Sequence, residues 1–187
     1  MIAGYLMTGG KNRRMDGKKK LFLELEGKSF LESILDALQS FDKIYLSVEE
    51  EAPYEHLSLP MVVDVIPEIG PIGGIYSGLK NCQEEALFVV ACDMPFVTKA
   101  AIRRLLDVYS HRHKITIAWA EDMEQPLLGI YPKSALPYLE KQIQAGDYKL
   151  MDALVHAGYA VVTLPKEDSS ARNINTVAEY EQLLSEN

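Results

Sequence analysis

Ile2-Ala3-Gly4-Tyr5-Leu6-Met7 is an unbroken apolar run that leads straight into Thr8-Gly9-Gly10-Lys11-Asn12-Arg13-Arg14-Met15-Asp16-Gly17-Lys18-Lys19-Lys20. A short apolar run closed by paired glycines reads as a buried strand that gives way to a loop. The same grammar repeats along the chain. Lys43 to Val48, Met61 to Val65 and Ala86 to Ala91 read as strands, as do Ile115 to Trp119, Leu127 to Tyr131 and Ala160 to Leu164. Helical patterns fill the gaps over 29–40, 72–80, 98–110, 133–145 and 149–157, with a last one over 177–185. Parallel strands need crossovers, and amphipathic crossover helices cover both faces of the sheet they connect. The expected fold is therefore α/β, a three-layer α/β/α arrangement around a mostly parallel sheet. With no linker, repeat or low-complexity stretch, one domain over 1–187 is expected.

Composition narrows the function. A formal charge of −8 argues against a general nucleic-acid binder, whose affinity comes mainly from cations neutralising phosphates. Cys82 and Cys92 are too few for a disulfide scaffold and have no metal-spaced companions, which fits a reducing compartment. No apolar stretch approaches the ~18 residues of a membrane span, and no cleavage pattern follows the first strand, so a cytoplasmic protein is expected. The charge is nonetheless uneven: Lys11, Arg13, Arg14, Lys18, Lys19 and Lys20 gather in one loop with only Asp16 opposing them. That is what a small polyphosphate ligand requires.

In open α/β sheets ligands bind beyond the carboxyl ends of the strands, which directs attention to the loops after residues 7, 65 and 91. In the first loop, paired glycines let backbone amides approach a ligand and downstream cations can neutralise a triphosphate. Its spacing matches neither GxxxxGK[ST] nor GxGxxG, and the alternative reading is a glycine turn followed by a solvated basic run. After the fourth strand comes Cys92-Asp93-Met94-Pro95. A carboxylate there can hold Mg²⁺, an ion that relies on one or two carboxylates plus substrate phosphates. Asp64 follows the third strand and precedes Gly70-Pro71-Ile72-Gly73-Gly74, where glycines at a helix start serve either ligand approach or tight helix-to-sheet packing. In Arg172-Asn173-Ile174-Asn175-Thr176, alternate asparagines point to one side of an extended segment, while Thr176 and Glu179 have capping-box spacing. His56, His111, His113 and His156 are scattered singly and are given no catalytic role.

Taken together, the GG-x-x-x-RM start with Lys20, the GPIGG element, the CDMP strand end, Gln125-Pro126 before a strand and the N-x-N-T close are similar in kind and order to the molybdenum cofactor guanylyltransferases. The resemblance covers nearly the whole chain and implies a Rossmann-like nucleotidyltransferase domain in which a terminal phosphate of molybdopterin attacks the α-phosphorus of GTP and releases pyrophosphate. It places Met7, Gly9 and Gly10 along the guanine and ribose, and Arg14, Gly17 and Lys20 on the phosphates. Lys20, with Arg14 and Asp93, carries the catalysis, Lys20 meeting the charge of the transition state and Asp93 binding Mg²⁺. Asp64 and Gly74 serve the nucleotide, while Lys149, Asn173 and Asn175 face molybdopterin. Implied partners are cofactor-delivery proteins and apo-molybdoenzymes. The chain departs from the family pattern at Asp16, at Lys149 in place of an arginine, and at the glutamates standing near Val48 to Glu50 in place of an asparagine. The rival readings are a cytidylyl or sugar-phosphate nucleotidyltransferase and a silent GTP-binding module.

Overall fold

The computed structural model describes residues 1–9, 14–15, 18–51 and 54–186. Strand β1 (Ile2–Met7) is buried along nearly its whole length, as its apolar run requires. Two antiparallel ribbons follow, β2 (Arg14–Met15) with β3 (Lys18–Lys19) and β4 (Glu24–Leu25) with β5 (Lys28–Ser29). Helix α1 (Phe30–Leu38) starts at a capping box in which Ser29 and Glu32 satisfy each other's backbone amides. Then come β6 (Ile44–Val48), β7 (Met61–Val63), α2 (Pro71–Asn81), β8 (Ala86–Ala91) and α3 (Lys99–Arg112). The chain continues through β9 (Ile115–Ala120), β10 (Met123–Pro132), α4 (Leu136–Gln144), α5 (Leu150–Ala157), β11 (Tyr159–Thr163) and α6 (Val177–Glu186).

Seven strands form one sheet in the order β11-β9-β10-β8-β1-β6-β7. All neighbouring pairs are parallel except those of β10, which runs antiparallel to both β8 and β9. The α/β expectation holds, with helices on both faces. On one face Leu6, Leu46, Phe88 and Val90 pack with Ile34 and Leu38 of α1 and Ile102 and Leu105 of α3. On the other, Tyr5, Leu87 and Ile117 pack with Ile72 and Ile75 of α2, Leu139 of α4 and Leu154 of α5. Period-two alternation along β1 sends Leu6 one way and Tyr5 the other, so each residue of the strand serves one helical layer.

Two expectations need correction. The strand read over 127–131 is the second half of β10, which begins at Met123 and closes a hairpin with β9 through Glu121 and Asp122, at φ 54° and 59°. Two left-handed residues make the two-residue turn that matches strand twist, and Glu-Asp lacks the Asn-Gly or Asp-Gly signature that announces it. The third strand stops at Val63 rather than 65, because the Val65 amide donates to Ser77 Oγ of α2 (2.8 Å) instead of continuing the ladder.

The strand order positions the site. From β1 the chain steps through α1 to β6 and β7 on one side, then returns over α2 to β8 on the other side of β1. Successive crossovers therefore part between β1 and β8, and a crevice opens at their carboxyl ends. Among the described residues, no helix is long and apolar enough to cross a membrane.

Candidate active site

The β1 and β8 ends are joined where the Cys92 amide donates to the Met7 carbonyl at 3.0 Å. Beside this junction lies a cleft of about 600 Å³, lined by Met7 at the end of β1, Gly9 just after it, Ser47, Val48 and Glu49 at the β6 end, and Asp64 after β7. Glu68, Ile69, Gly70 and Pro71, leading into α2, with Ala91, Leu127 and Tyr148, complete the walls. The volume suits a nucleoside-sized ligand. Met7, Gly9 and Asp64 thus stand together as expected. Among the described residues, a Cβ at Gly9 would meet nothing within 4 Å, so none of them demands a glycine there.

Gly74 does not line this cleft. A Cβ on it would lie 2.7 Å from Met7 Cε and 2.9 Å from Ser47 Oγ, and its carbonyl accepts from the Tyr5 hydroxyl at 2.8 Å. At this position the packing reading prevails over the ligand reading: the glycine lets α2 settle against β1 and β6, beneath the cleft floor. Asp64 Oδ1 approaches Ser47 Oγ at 3.5 Å, which ties the carboxylate to that floor.

Lys20 comes to the site by a fold-back. The β2–β3 ribbon pairs Arg14 with Lys19, which returns the basic segment toward its start. The 3-10 turn Lys20–Phe22 then tucks Lys20 and Leu21 inward. Gly10 and Gly17 lie outside the described residues, as does the Arg14 side chain. Lys20, only 3% exposed, places Nζ 4.0 Å from Asp93 Oδ2. That distance is an ion pair without a hydrogen bond, which leaves both groups able to take a further partner. Asp93 Oδ1 is buried and has no hydrogen-bond partner among the described residues. Burial pushes the Asp93 carboxyl above the usual carboxylate range, with the Lys20 charge opposing the rise. A half-buried carboxylate with one orphaned oxygen fits a hard divalent cation, for which one protein carboxylate beside substrate phosphates is an ordinary ligand set. Among the described residues there is no cluster of three or more carboxylate, histidine or cysteine ligands. The neighbouring Cys92 thiol is pushed up to about 12, chiefly by burial, so it stays protonated and is no nucleophile.

The carboxy-terminal loop closes the Asp93 side. The Ile174 amide donates to the Asp93 carbonyl at 2.9 Å, and Ile174 itself is buried with Leu23, Leu25 and Phe30. Alternation turns Asn173 and Asn175 away from that core, half-buried and exposed respectively. Thr176 and Glu179 form the capping box, Glu179 Oε2 accepting from the amides of both Asn175 (2.6 Å) and Thr176 (3.1 Å). Lys149 is exposed at the start of α5, and its neighbour Tyr148, which the sequence did not single out, lines the cleft instead. Ser47 was missed too, and the glutamates after Val48 were noted only as a departure from an expected asparagine. For Ser47 a signal existed, a hydroxyl inside an otherwise apolar strand; for Tyr148, a lone aromatic in a polar loop, there was none.

A model of the MobA-like NTP transferase domain matches residues 4–159. A Clostridium perfringens protein named as a probable molybdenum cofactor guanylyltransferase is 33% identical over 96% of this chain and 94% of its own. Among solved structures, the Archaeoglobus fulgidus molybdopterin-guanine dinucleotide biosynthesis protein A is similar with a TM-score of 0.80 and 25% identity, over 97% of this chain and 96% of that one. A crystallised Aquifex aeolicus protein is similar with a TM-score of 0.79 and 31% identity, over 93% of each chain.

Proposed function

Because the chain belongs to the MobA-like NTP transferase family, we propose that it transfers GMP from GTP to molybdopterin, forming the guanine dinucleotide cofactor and releasing pyrophosphate. The observation that carries this reading is the Lys20–Asp93 pair beside a nucleoside-sized cleft, at the point where the crossovers of the sheet part. The family assignment makes the chain a nucleotidyltransferase, and the relatives named for molybdenum cofactor guanylyltransfer support the substrate pair.

Electrostatics orients the nucleotide. The cleft carries Glu49, Asp64 and Glu68, which repel phosphates, so base and ribose belong there with Met7 and Gly9 alongside. The triphosphate then extends toward Lys20 and, by the sequence reading, Arg14. The acceptor's phosphate oxygen bonds to the α-phosphorus as the bond between that phosphorus and the bridging oxygen to the β-phosphate breaks; the electron pair leaves with pyrophosphate. Lys20 lies where the charge grows, and a buried, preorganised cation is worth more there than in water. Asp93 is the ligand for Mg²⁺, which when bound neutralises phosphate charge. Holding the acceptor falls to Asn173, Asn175 and Lys149, the residues on the Ile174 loop and at the α5 start. No covalent intermediate is needed, since positioning and charge stabilisation suffice for this chemistry. Retention of Lys20 and Asp93 side by side weighs against a silent GTP-binding module. Cofactor-delivery proteins and apo-molybdoenzymes are the partners that the product's use implies.

The test is pyrophosphate release by the purified protein with molybdopterin and Mg²⁺, comparing GTP, ATP and CTP. Release with GTP well above the others is expected. Release only with CTP, or with none of the three, contradicts the reading.

A further inference from the structure

The cleft has two unlike halves. Glu49, Asp64 and Glu68 stand at the β6 and β7 ends and before α2, whereas Ala91, Leu127 and Tyr148 form the side toward β8 and β10. With base and ribose in the acidic half, the apolar half is left for a second ligand. Its two large side chains are each delivered by a brace. Between Gln125 and Gly129, β10 advances four residues while β9 advances one, from Ala118 to Ile117, and Pro126 and Leu127 fall outside the registers with both neighbouring strands. Such a bulge re-aims a side chain, here Leu127 into the cleft. Tyr131, fully buried, locks the bulge by donating from its hydroxyl to the Pro126 carbonyl at 2.6 Å.

The loop carrying Tyr148 is held in a similar way. The Asp147 carboxylate accepts from Nε2 of the buried Gln142 at 2.7 Å and from the Lys149 amide at 3.1 Å, and the Asp147 amide donates to the Gln142 carbonyl at 3.2 Å. These bonds fix the residues on either side of Tyr148. Its ring is 47% exposed, and among the described residues it has no aromatic, cationic or hydrogen-bonding partner. A fixed loop that offers an aromatic face to open space loses little freedom when a flat ring settles on it.

Resting on the nucleotidyl-transfer reading above, we propose that Leu127 and Tyr148 form the seat of the acceptor's ring system: the planar pyrimidinone end of the pterin lies against Leu127 and stacks on the Tyr148 face. Tyr131 and Gln142 are positioning residues that act through these two side chains. The seat adjoins Ala91, two residues before Asp93, which sets the ring beside the reaction centre. Stacking alone does not choose between two flat rings; position does, because the base is placed in the acidic half.

The experiment measures KM for molybdopterin and for GTP by pyrophosphate release with Mg²⁺, and titrates each substrate calorimetrically. Wild type is compared with Tyr148→Ala, Tyr148→Phe, Leu127→Ala, Tyr131→Phe, the Leu127→Ala and Tyr131→Phe double variant, and Tyr138→Ala, which alters an exposed tyrosine of α4 outside the cleft. Tyr148→Ala is expected to raise KM and Kd for molybdopterin about tenfold, the worth of a ring stacked on an aromatic side chain, while kcat and the constants for GTP stay near wild type. Tyr148→Phe keeps the ring and the wild-type constants, and Tyr138→Ala changes nothing. Leu127→Ala and Tyr131→Phe each raise the molybdopterin constants alone, and the double variant does no more than Leu127→Ala, since the hydroxyl acts through that side chain. Loss of GTP affinity in place of molybdopterin affinity, an equal loss of both, or a Tyr148→Ala protein that keeps both, overturns the proposal. Titrations that give the expected molybdopterin losses while GTP yields no pyrophosphate sustain the seat and overturn the transfer reaction. Wild type that releases pyrophosphate from GTP while the variants keep its Kd for molybdopterin does the reverse.

Discussion

Lys20 and Asp93 are far apart in the chain, and each is unremarkable where it stands: one ends a basic run, the other follows an apolar strand. Burial changes their value. With Lys20 3% exposed and Asp93 Oδ1 enclosed without a hydrogen-bond partner among the described residues, water screens the pair only from the open side of Asp93, and the buried atoms are costly unless a ligand completes the pair. Substituting Lys20→Ala or Asp93→Ala is therefore expected to lower kcat on the order of a hundredfold or more, as for removal of a preorganised electrostatic contact; near-normal kcat in both variants, measured by pyrophosphate release, would remove them from the chemistry. Arg14→Ala is expected to raise the KM for GTP, and an unchanged KM would detach that arginine from the phosphates. At this scale the sequence was readable where a residue type is chemically loud, as at Asp93, Lys20 and Asp64. It was silent for Tyr148, because whether a side chain in a loop lines a cleft depends on what folds opposite it.

Among the elements, α2 shows most directly how packing serves the site. Its carboxyl-terminal half rests on β1 through Gly78, where a Cβ would lie 2.5 Å from Tyr5 Cζ and 2.7 Å from Leu87 Cδ1. Tyr5 cannot easily give way, since its hydroxyl donates to the Gly74 carbonyl one turn earlier. Gly78→Ala is accordingly expected to cost about 1–3 kcal/mol of overpacking, only partly offset by the ~1 kcal/mol that alanine gains over glycine within a helix. The urea unfolding midpoint reads the net effect, and an unchanged or higher midpoint would show that α2 does not depend on this close approach. Helix starts were legible because caps are local: Thr98 accepts from the Ala101 amide at 3.1 Å, and Thr176 and Glu179 pair as their spacing foretold. The hairpin between β9 and β10 was not, since its turn uses Glu121 and Asp122 in left-handed conformations that neither residue type announces. The glycines of α2 were ambiguous in sequence for a related reason: ligand approach and helix approach both call for a missing Cβ, and only the tertiary neighbours of Gly74 decide between them.

Across the whole molecule, function follows from strand order. The chain leaves β1 in one direction, returns past it in the other, and so brings the glycine turn, the Asp93 strand end and the acidic cleft to one edge of the sheet. The carboxy-terminal segment is bound into the same edge through Ile174, which explains how residues so late in the chain come to stand beside Asp93. Alternating strands and helices made the layers legible in advance; the antiparallel β10 was not, because an apolar strand reads the same in either direction. The central claim is that one metal-bound triphosphate is shared by Lys20 and Asp93, with its base in the neighbouring cleft. Diffraction from crystals grown with GTP and Mn²⁺, read at the manganese anomalous signal, tests it most directly. The account predicts a metal peak on the Asp93 carboxylate, phosphates against Lys20 Nζ and guanine between the β6 end and the start of α2. An ordered nucleotide whose phosphates and metal lie away from both residues would contradict it.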